Sequence, residues 1–146
     1  MVKLTLIGLG MMGLVALNGI QLYTKIKDIT VIDKENKSDK IPEEVEFIQE
    51  ELRKDNYEKV LNSLKMKEGD IIIDLSVYVC TSCMLRYCAK NKLHYIVTSY
   101  EPWKDKAKTK ITISEDMSVY ERIKKEVGKK CKTMFINSGC NPGSIT

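Results

Sequence analysis

Three glycines near the amino terminus, Gly8, Gly10 and Gly13, form a G-x-G-x-x-G hexapeptide with the sequence GLGMMG. The hexapeptide follows an apolar run and precedes a segment with helical spacing of apolar residues. In that setting the first glycine permits a tight turn, the second lets the backbone approach a pyrophosphate, and the third lets helix and strand pack closely. The following helix N-terminus adds unpaired N–H groups and the positive end of a dipole. The loop therefore predicts a dinucleotide-binding site.

Asp33 lies 20 residues after Gly13, at the end of the next predicted strand. An acid at this position accepts hydrogen bonds from the adenine-ribose hydroxyls and repels a 2′-phosphate, which favours NAD over NADP as the cofactor. Lys34 weakens that preference, because a cation directly after Asp33 could partly accommodate the 2′-phosphate of NADP. The structural alternative is a glycine-rich turn with a strand-end aspartate that caps a loop. The predicted cofactor-binding residues are Gly8, Gly10, Met11, Met12, Gly13, Asp33 and Ser76.

Three further segments lie at or just past the carboxyl ends of predicted strands. They are residues 74–77 (DLSV), 101–103 (EPW) and 139–143 (GCNPG). In an open parallel sheet, the carboxyl ends of the strands form the edge at which ligands bind. We therefore expect the three segments to share one crevice with the glycine loop.

Together with the glycine loop, these motifs resemble the NAD-dependent homospermidine synthases, part of the wider saccharopine-dehydrogenase-like group. The resemblance runs over the whole chain. It rests on Ile7-Gly8, Val31-Ile32-Asp33, Asp55-Asn56-Tyr57, Glu101-Pro102-Trp103 and Asn141-Pro142-Gly143. It implies a transferase of polyamine synthesis in which bound NAD⁺ acts as a redox relay. Putrescine is oxidised to an imine, ammonia leaves, a second putrescine adds, and the stored hydride reduces the new imine to homospermidine.

The resemblance also implies a binding site for a diamine, with putrescine as the small-molecule partner. Asn141 matches the family's substrate asparagine, and Glu101 could hold an ammonium group through a charge-assisted hydrogen bond. Trp103 could offer a cation–π face, although a tryptophan that anchors the core or a loop is an equally good interpretation. Where the family tends to carry an acid after the fourth strand, this chain has Tyr78, which leaves the choice of diamine open. No certain catalytic residue and no metal site is predicted.

The order of elements predicts an α/β fold, a Rossmann-type doubly wound parallel sheet of about six strands. The predicted strands are residues 2–9, 29–32, 45–48, 70–75, 94–98 and 133–137. The predicted helices are residues 11–26, 56–64, 82–92 and 115–130, with a charged helix-like stretch through Leu52. Asn56 is expected to cap the second helix. We expect one NAD-binding domain, residues 1–146, and expect the family's following substrate domain to be absent from this chain.

Length, charge and hydropathy exclude several classes of protein. The 146 residues carry 24 basic and 20 acidic side chains without aromatic interleaving or a recognition motif, so nucleic-acid binding is not expected. The apolar start runs into a polar helical segment rather than a signal cleavage site. No apolar stretch reaches the length of a membrane span. A soluble cytoplasmic protein is therefore expected, with association into a homo-oligomer as an open possibility.

The five cysteines, without a secretory signal, predict reduced thiols. Cys80 and Cys83 form a C-x-x-C at the start of a helix, which suits a redox pair or half of a zinc site. Cys131 and Cys140 do not supply a second pair at ligand spacing. Buried structural thiols are the favoured interpretation.

Two other functions stay open beside the polyamine enzyme. A saccharopine-type NAD(P) dehydrogenase, acting on an amino-acid adduct, would need a carboxylate-binding arginine near the later motifs. The arginines, Arg53, Arg86 and Arg122, all fall in predicted helices. The other alternative is a truncated fragment that binds nucleotide without turnover. We expect that the 146 residues alone do not make homospermidine, because an open site exposes the imine to water.

Overall fold

The computed structural model describes residues 1–77, 79–99, 101–103, 118, 121, 125, 127–128 and 133–136. The strands in this part of the chain are β1 (Lys3–Ile7), β2 (Asp28–Asp33), β3 (Glu46–Gln49), β4 (Ile71–Asp74), β5 (His94–Val97) and β6 (Thr133–Ile136). The helices are α1 (Met11–Tyr23), α2 (Tyr57–Ser63) and α3 (Thr81–Asn91), with a 3-10 turn at Ser38–Lys40. Residues 118, 121, 125 and 127 are also helical and lie within the predicted 115–130 helix.

The six strands form one sheet in the order β3-β2-β1-β4-β5-β6, and every neighbouring pair is parallel. The chain runs outward from β1 to β3 and then returns to the other side of β1 with β4. The order therefore reverses between β1 and β4, the point at which doubly wound sheets bind their ligands. This topology confirms the predicted Rossmann-type fold.

The central strands are buried on both faces of the sheet. In β1, Leu4 and Leu6 belong to one apolar cluster together with Leu17 of α1. Ile7 belongs to a second cluster that contains Met84 of α3. Full burial of one such aliphatic side chain stabilises the fold by about 1.5–3 kcal/mol. Layers of helix on both faces explain why continuous apolar runs, rather than alternating ones, marked these strands in the sequence.

The prediction of a helical stretch through Leu52 was wrong. Residues 50–53 are not helical, and Leu52 is buried in the second apolar cluster. Arg53 therefore lies in a turn and not in a helix. Asn56 stands at the predicted cap position of α2, but its side chain does not cap the helix. Its Oδ1 accepts a hydrogen bond from the backbone N–H of Arg53 at 2.7 Å instead, a local bond of the kind that asparagine offers to turns.

Helix α1 ends at Tyr23, three residues before the predicted end. Thr24 has an extended backbone, and its hydroxyl donates a hydrogen bond to the carbonyl of Ile20 at 2.7 Å. Short polar side chains that bond to the backbone in this way compete with continuation of a helix. The chain is thereby turned toward β2.

Candidate functional site

The first glycine of the loop occupies a conformation and a space that only glycine fits. Gly8 has φ +90°, a region that side chains disfavour. A Cβ atom at Gly8 would lie 2.8 Å from the backbone nitrogen of Ser76 and 2.9 Å from the carbonyl carbon of Leu75. The turn after β1 therefore lies directly against the segment after β4, at the point where the strand order reverses.

The third glycine lets α1 approach the turn. A Cβ atom at Gly13 would overlap the carbonyl oxygen of Gly8, which is a backbone atom with no freedom to rotate away. The close packing of helix and turn that the motif predicted is therefore present. Any side chain at Gly13 would push the helix off the loop.

The N-terminus of α1 is open toward the edge of the sheet. Gly10 is the N-cap residue, no side chain caps the helix, and its first turn has no acidic residue. Nothing lies within 4 Å of the place that a Cβ atom of Gly10 would occupy. Met11 and Met12 are exposed. The first-turn N–H groups lack partners within the helix, so this end offers hydrogen-bond donors and a positive dipole to an anion.

Asp33, at the carboxyl end of β2, holds the glycine loop in place. Its carboxylate accepts hydrogen bonds from the N–H of Leu9 at 2.6 Å and of Glu35 at 2.8 Å. Burial by itself would raise the pKa of Asp33. The two N–H donors and the charge of Lys37 outweigh burial and hold this pKa below its usual 3.8. Asp33 is therefore ionised at neutral pH and lies beside the loop, as an acceptor for ribose hydroxyls must.

Lys37 lies beside Asp33, although the cation expected there from the sequence was Lys34. The Nζ atom of Lys37 lies 3.3 Å from Oδ1 of Asp33 and 3.3 Å from Glu35, whereas Lys34 is exposed. Burial alone would lower the pKa of Lys37, but the Asp33 and Glu35 carboxylates outweigh it and raise that pKa. The sequence signal for this ion pair is the position of Lys37 four residues after Asp33, although the two residues are joined by a turn and not by a helix. A fixed cation thus stands beside Asp33, the acid predicted to select the cofactor.

A buried carboxylate stands at the end of β4. Asp74 is 2% exposed and accepts hydrogen bonds from the hydroxyl and the N–H of Ser76, at 2.5 Å and 3.0 Å, and from the Tyr95 hydroxyl at 3.0 Å. Burial raises the pKa of Asp74 to about 6, and the charge of Glu101 adds to the rise while the hydrogen bonds oppose it. Asp74 thus orients Ser76, which lies against Gly8. Contact of Ser76 with a cofactor stays a prediction.

Asp74 makes the stability of the domain dependent on pH. Its pKa is raised in the folded state, so its contribution is fully present below about pH 4 and is lost as the pH rises through about 6. The loss amounts to about 3 kcal/mol. In Asp74→Asn, which keeps one oxygen acceptor for Ser76 and carries no titrating group, urea unfolding at pH 4.5 and pH 7.5 should therefore differ less than in the wild type. The exposed Asp39→Asn control should keep the wild-type difference, and an equal difference in Asp74→Asn would contradict the assignment.

Glu101 is anchored at the same edge as the glycine loop. Its backbone N–H donates to the Thr81 hydroxyl at 2.9 Å, and its carbonyl accepts from the Thr81 N–H at 2.9 Å. The Ser99 hydroxyl donates to its carboxylate at 3.2 Å. Its charge is close enough to Asp74 to raise the pKa of that residue. Glu101 therefore lies at the carboxyl edge of the sheet and not at the opposite edge.

Trp103 is only 5% exposed and belongs to the apolar core. Its ring lies 5.4 Å from that of Tyr57, centroid to centroid. This placement favours the interpretation of Trp103 as an anchor of the loop that carries Glu101. Its cation–π contact with a substrate stays a prediction.

Several predicted positions lie outside the described residues. These are Tyr78, Arg122, Cys131, and residues 139–146 with Asn141. The meeting of Asn141 with Glu101 therefore stays a prediction. Within the described part of the chain, no group of three or more histidine, cysteine or acidic side chains could hold a metal ion. No described helix combines the length and the apolarity needed to cross a membrane.

Comparison with known proteins gives three findings. The family model of the saccharopine dehydrogenase NADP binding domain matches residues 4–131. The homospermidine synthase of Mesorhizobium japonicum is 28% identical over 97% of this chain. The crystal structure of the homospermidine synthase of Legionella pneumophila in complex with NAD superposes over 97% of this chain with a TM-score of 0.79 and 27% identity. The chain spans 31% and 30% of the lengths of these two proteins.

Proposed function

This chain belongs to the saccharopine dehydrogenase NADP binding domain family, and from that membership we propose that it binds NAD as the cofactor-binding part of a homospermidine synthase-type enzyme. The observation that carries the proposal is the open N-terminus of α1 above the glycine turn, with the ionised Asp33 beside it. The similarity to a homospermidine synthase solved with NAD supports it. When bound, NAD would supply the redox chemistry, which is to accept a hydride and later to return it.

The residues of this chain have separate parts in holding the cofactor. The first-turn N–H groups of α1 hold the pyrophosphate, and Gly10 leaves the space that it needs. Asp33 accepts hydrogen bonds from the adenine-ribose hydroxyls. The segment that carries Ser76 lies against the glycine turn, and the Ser76 hydroxyl donates a hydrogen bond to Asp74. Ser76 is the residue that we propose for the nicotinamide half of the crevice.

Preference between NAD⁺ and NADP⁺ is the direct test of the cofactor. Asp33 repels a 2′-phosphate, whereas Lys37 offsets part of that repulsion. We expect NAD⁺ to bind more tightly, because the Asp33 carboxylate is buried next to the site and Lys37 is already paired with two carboxylates. Calorimetric titration with both nucleotides measures the preference. Equal or tighter binding of NADP⁺ would contradict the cofactor assignment.

The proposed substrate is a diamine, held at one end by Glu101. Asp74 and Glu101 make the carboxyl edge near β4 and β5 acidic, and an acidic, partly buried site suits an ammonium group. Asn141 is proposed as the second polar contact. The transfer of an aminobutyl group from putrescine to a second putrescine is the reaction that this assignment implies for the complete enzyme.

Trp103, the single tryptophan of the chain, reports on this substrate site because it lies two residues from Glu101. We expect putrescine to change the tryptophan fluorescence of the NAD⁺-loaded chain. Glu101→Gln, which loses the charged partner, should weaken putrescine binding about tenfold or more, equivalent to about 1.4 kcal/mol. Glu43→Gln changes an exposed glutamate before the amino end of β3 and should bind as the wild type does. Equal affinity in Glu101→Gln would remove Glu101 from the site.

A saccharopine-type dehydrogenase is the second candidate, and Lys37 is the observation that favours it, because this cation could receive the 2′-phosphate of NADP. The described arginines give it little support. Arg53 is paired with Glu51 and Asp55 on the surface, and Arg86 is an exposed residue of α3. Tighter binding of NADP⁺ than NAD⁺, together with no response to putrescine, would favour this candidate.

A further inference from the structure

Two thiols stand together where α3 begins. Cys80 is the N-cap residue, with an extended backbone, and Cys83 lies in the first turn. The N–H groups of Cys83 and Met84 both donate to the carbonyl of Cys80 at 3.0 Å. The Cys83 thiol donates a hydrogen bond to the sulfur of Cys80. A spacing of three residues across a helix N-terminus brings two cysteines within the range that a disulfide bond can bridge.

The two thiols differ in their affinity for a proton. The hydrogen bond from Cys83 lowers the pKa of Cys80 to about 5, helped by the Ser82 hydroxyl and by first-turn N–H groups that outweigh burial. The same hydrogen bond, with burial, raises the pKa of Cys83 far above its usual value. At neutral pH the pair therefore holds one thiolate and one thiol. This is the state in which a C-x-x-C pair exchanges with disulfides.

The surroundings set this pair apart from an inert buried thiol. The indole N–H of Trp103 is buried and lies close to the Cys83 sulfur, where it opposes the rise in the pKa of that thiol. Cys80 is buried and Cys83 is half-buried, so the pair reaches the surface through Cys83. Cys88, on the same helix, is fully buried, and burial raises its pKa. It therefore serves as the inert comparison.

We propose that Cys80 and Cys83 form a redox-active dithiol whose reaction partner is a small disulfide. The Cys80 thiolate attacks one sulfur of the disulfide RSSR, the S–S bond breaks, and RS⁻ leaves. The Cys83 thiol gives its proton to the departing thiolate, and its sulfur then attacks Cys80 and expels the second RS⁻, which takes a proton from water. The two cysteines lose two electrons and the one proton that Cys83 held, water supplies the second proton, and RSSR becomes two RSH.

Formation of the Cys80–Cys83 disulfide affects the edge of the sheet through Thr81, which lies between the two cysteines in the sequence. Thr81 makes both backbone-directed hydrogen bonds that anchor Glu101, and its hydroxyl also donates to the carbonyl of Ser99 at 3.2 Å. A covalent bond from Cys80 to Cys83 fixes the turn that carries Thr81. The redox state of the dithiol is therefore linked to the loop that carries Glu101 and Trp103.

Peptide mapping after equilibration with glutathione or 2-hydroxyethyl disulfide tests the proposal. Trypsin separates residues 68–86, with Cys80 and Cys83, from residues 87–90, with Cys88. In the wild type we expect the first peptide to carry an internal disulfide after oxidation and two free thiols after return to reducing buffer. Cys88 should stay a free thiol throughout. Absence of the internal disulfide with both reagents, or equal modification of Cys88, would overturn the proposal.

A second measurement separates the roles of the two thiols. Cys83→Ser removes the resolving sulfur, so its Cys80 should accumulate as a mixed disulfide with the small thiol. Cys80→Ser should react much more slowly, because burial raises the pKa of the remaining Cys83 thiol, which lacks the N–H donors that lower the pKa of Cys80. The Cys88→Ser control should behave as the wild type does. Equal rates in Cys80→Ser and Cys83→Ser would contradict the assignment of Cys80 as the attacking sulfur.

Discussion

Replacement of Gly13 by alanine is expected to abolish measurable NAD binding and to lower the free energy of unfolding by about 3 kcal/mol. The added Cβ atom meets the carbonyl oxygen of Gly8, and a backbone oxygen in a turn cannot rotate aside as a side chain could. Helix α1 must therefore shift away from the loop, which separates its N-terminal N–H groups from the glycine turn. Urea unfolding measures the stability, and calorimetry measures the binding.

Gly19→Ala is the matched control, because it makes the same chemical change in the same helix. Nothing lies within 4 Å of the added atom at Gly19. Alanine is the better helix former by about 1 kcal/mol, so this variant should be slightly more stable and should bind NAD as the wild type does. Wild-type stability and affinity in Gly13→Ala would show that the close approach of helix and loop is not required.

Asp33→Asn is expected to weaken NAD⁺ binding by about tenfold to a hundredfold, equivalent to about 1.4–2.8 kcal/mol. Asparagine keeps the size and one oxygen acceptor, which can still bond to the N–H of Leu9. It loses the charge that strengthens the bonds to ribose hydroxyls. NADP⁺ should lose less affinity than NAD⁺, because the repulsion of the 2′-phosphate disappears at the same time.

Lys37→Met is the reciprocal experiment. It removes the cation beside Asp33 and leaves the carboxylate charge uncompensated, so the preference for NAD⁺ over NADP⁺ should increase. If the preference for NAD⁺ over NADP⁺ falls in Asp33→Asn and rises in Lys37→Met, the two residues have opposite effects on the choice of cofactor. An unchanged NAD⁺ affinity in Asp33→Asn would remove Asp33 from the ribose site and leave it only the role of bracing Leu9.

The proposed diamine site explains why two acidic side chains, Asp74 and Glu101, lie near each other at the carboxyl edge of the sheet. The charge of Glu101 repels that of Asp74 and helps to raise the pKa of Asp74, an arrangement that costs stability in the absence of a cation. A bound ammonium group relieves that repulsion. The pKa of Asp74, raised by burial and by Glu101, should therefore fall when a diamine binds.

Much of the fold was predictable because its signals are local. The glycine loop depends on residues within one turn of each other, and it stands in the predicted place with the predicted close contact between Gly13 and Gly8. Apolar runs such as residues 71–73 mark strands covered on both faces whatever the rest of the chain does. The alternation of strands and helices then leaves few topologies, and a parallel doubly wound sheet is the common one.

The wrong predictions of local structure concern side chains that can make either of two local contacts. Asn56 could cap α2 or bond to the turn before it, and its sequence position was compatible with both. The structure has the second bond, at 2.7 Å to Arg53. Leu52 fitted a helical pattern, but the segment that carries it is not helical, and its side chain is nevertheless buried in the core. Periodicity reports which residues are apolar and cannot distinguish these ways of burying them.

The sequence by itself determined the strand–loop–helix unit, the acid at the end of β2 and the edge of the sheet that carries the predicted site residues. Only the tertiary structure decided which groups meet there. Tyr95 reaches Asp74 from 21 positions away, Trp103 packs against Tyr57, and Lys37 rather than Lys34 pairs with Asp33. Burial, and with it the pKa of a carboxylate or a thiol, depends on contacts between segments that are distant in sequence. Pairing of strands creates those contacts, and no local pattern records them.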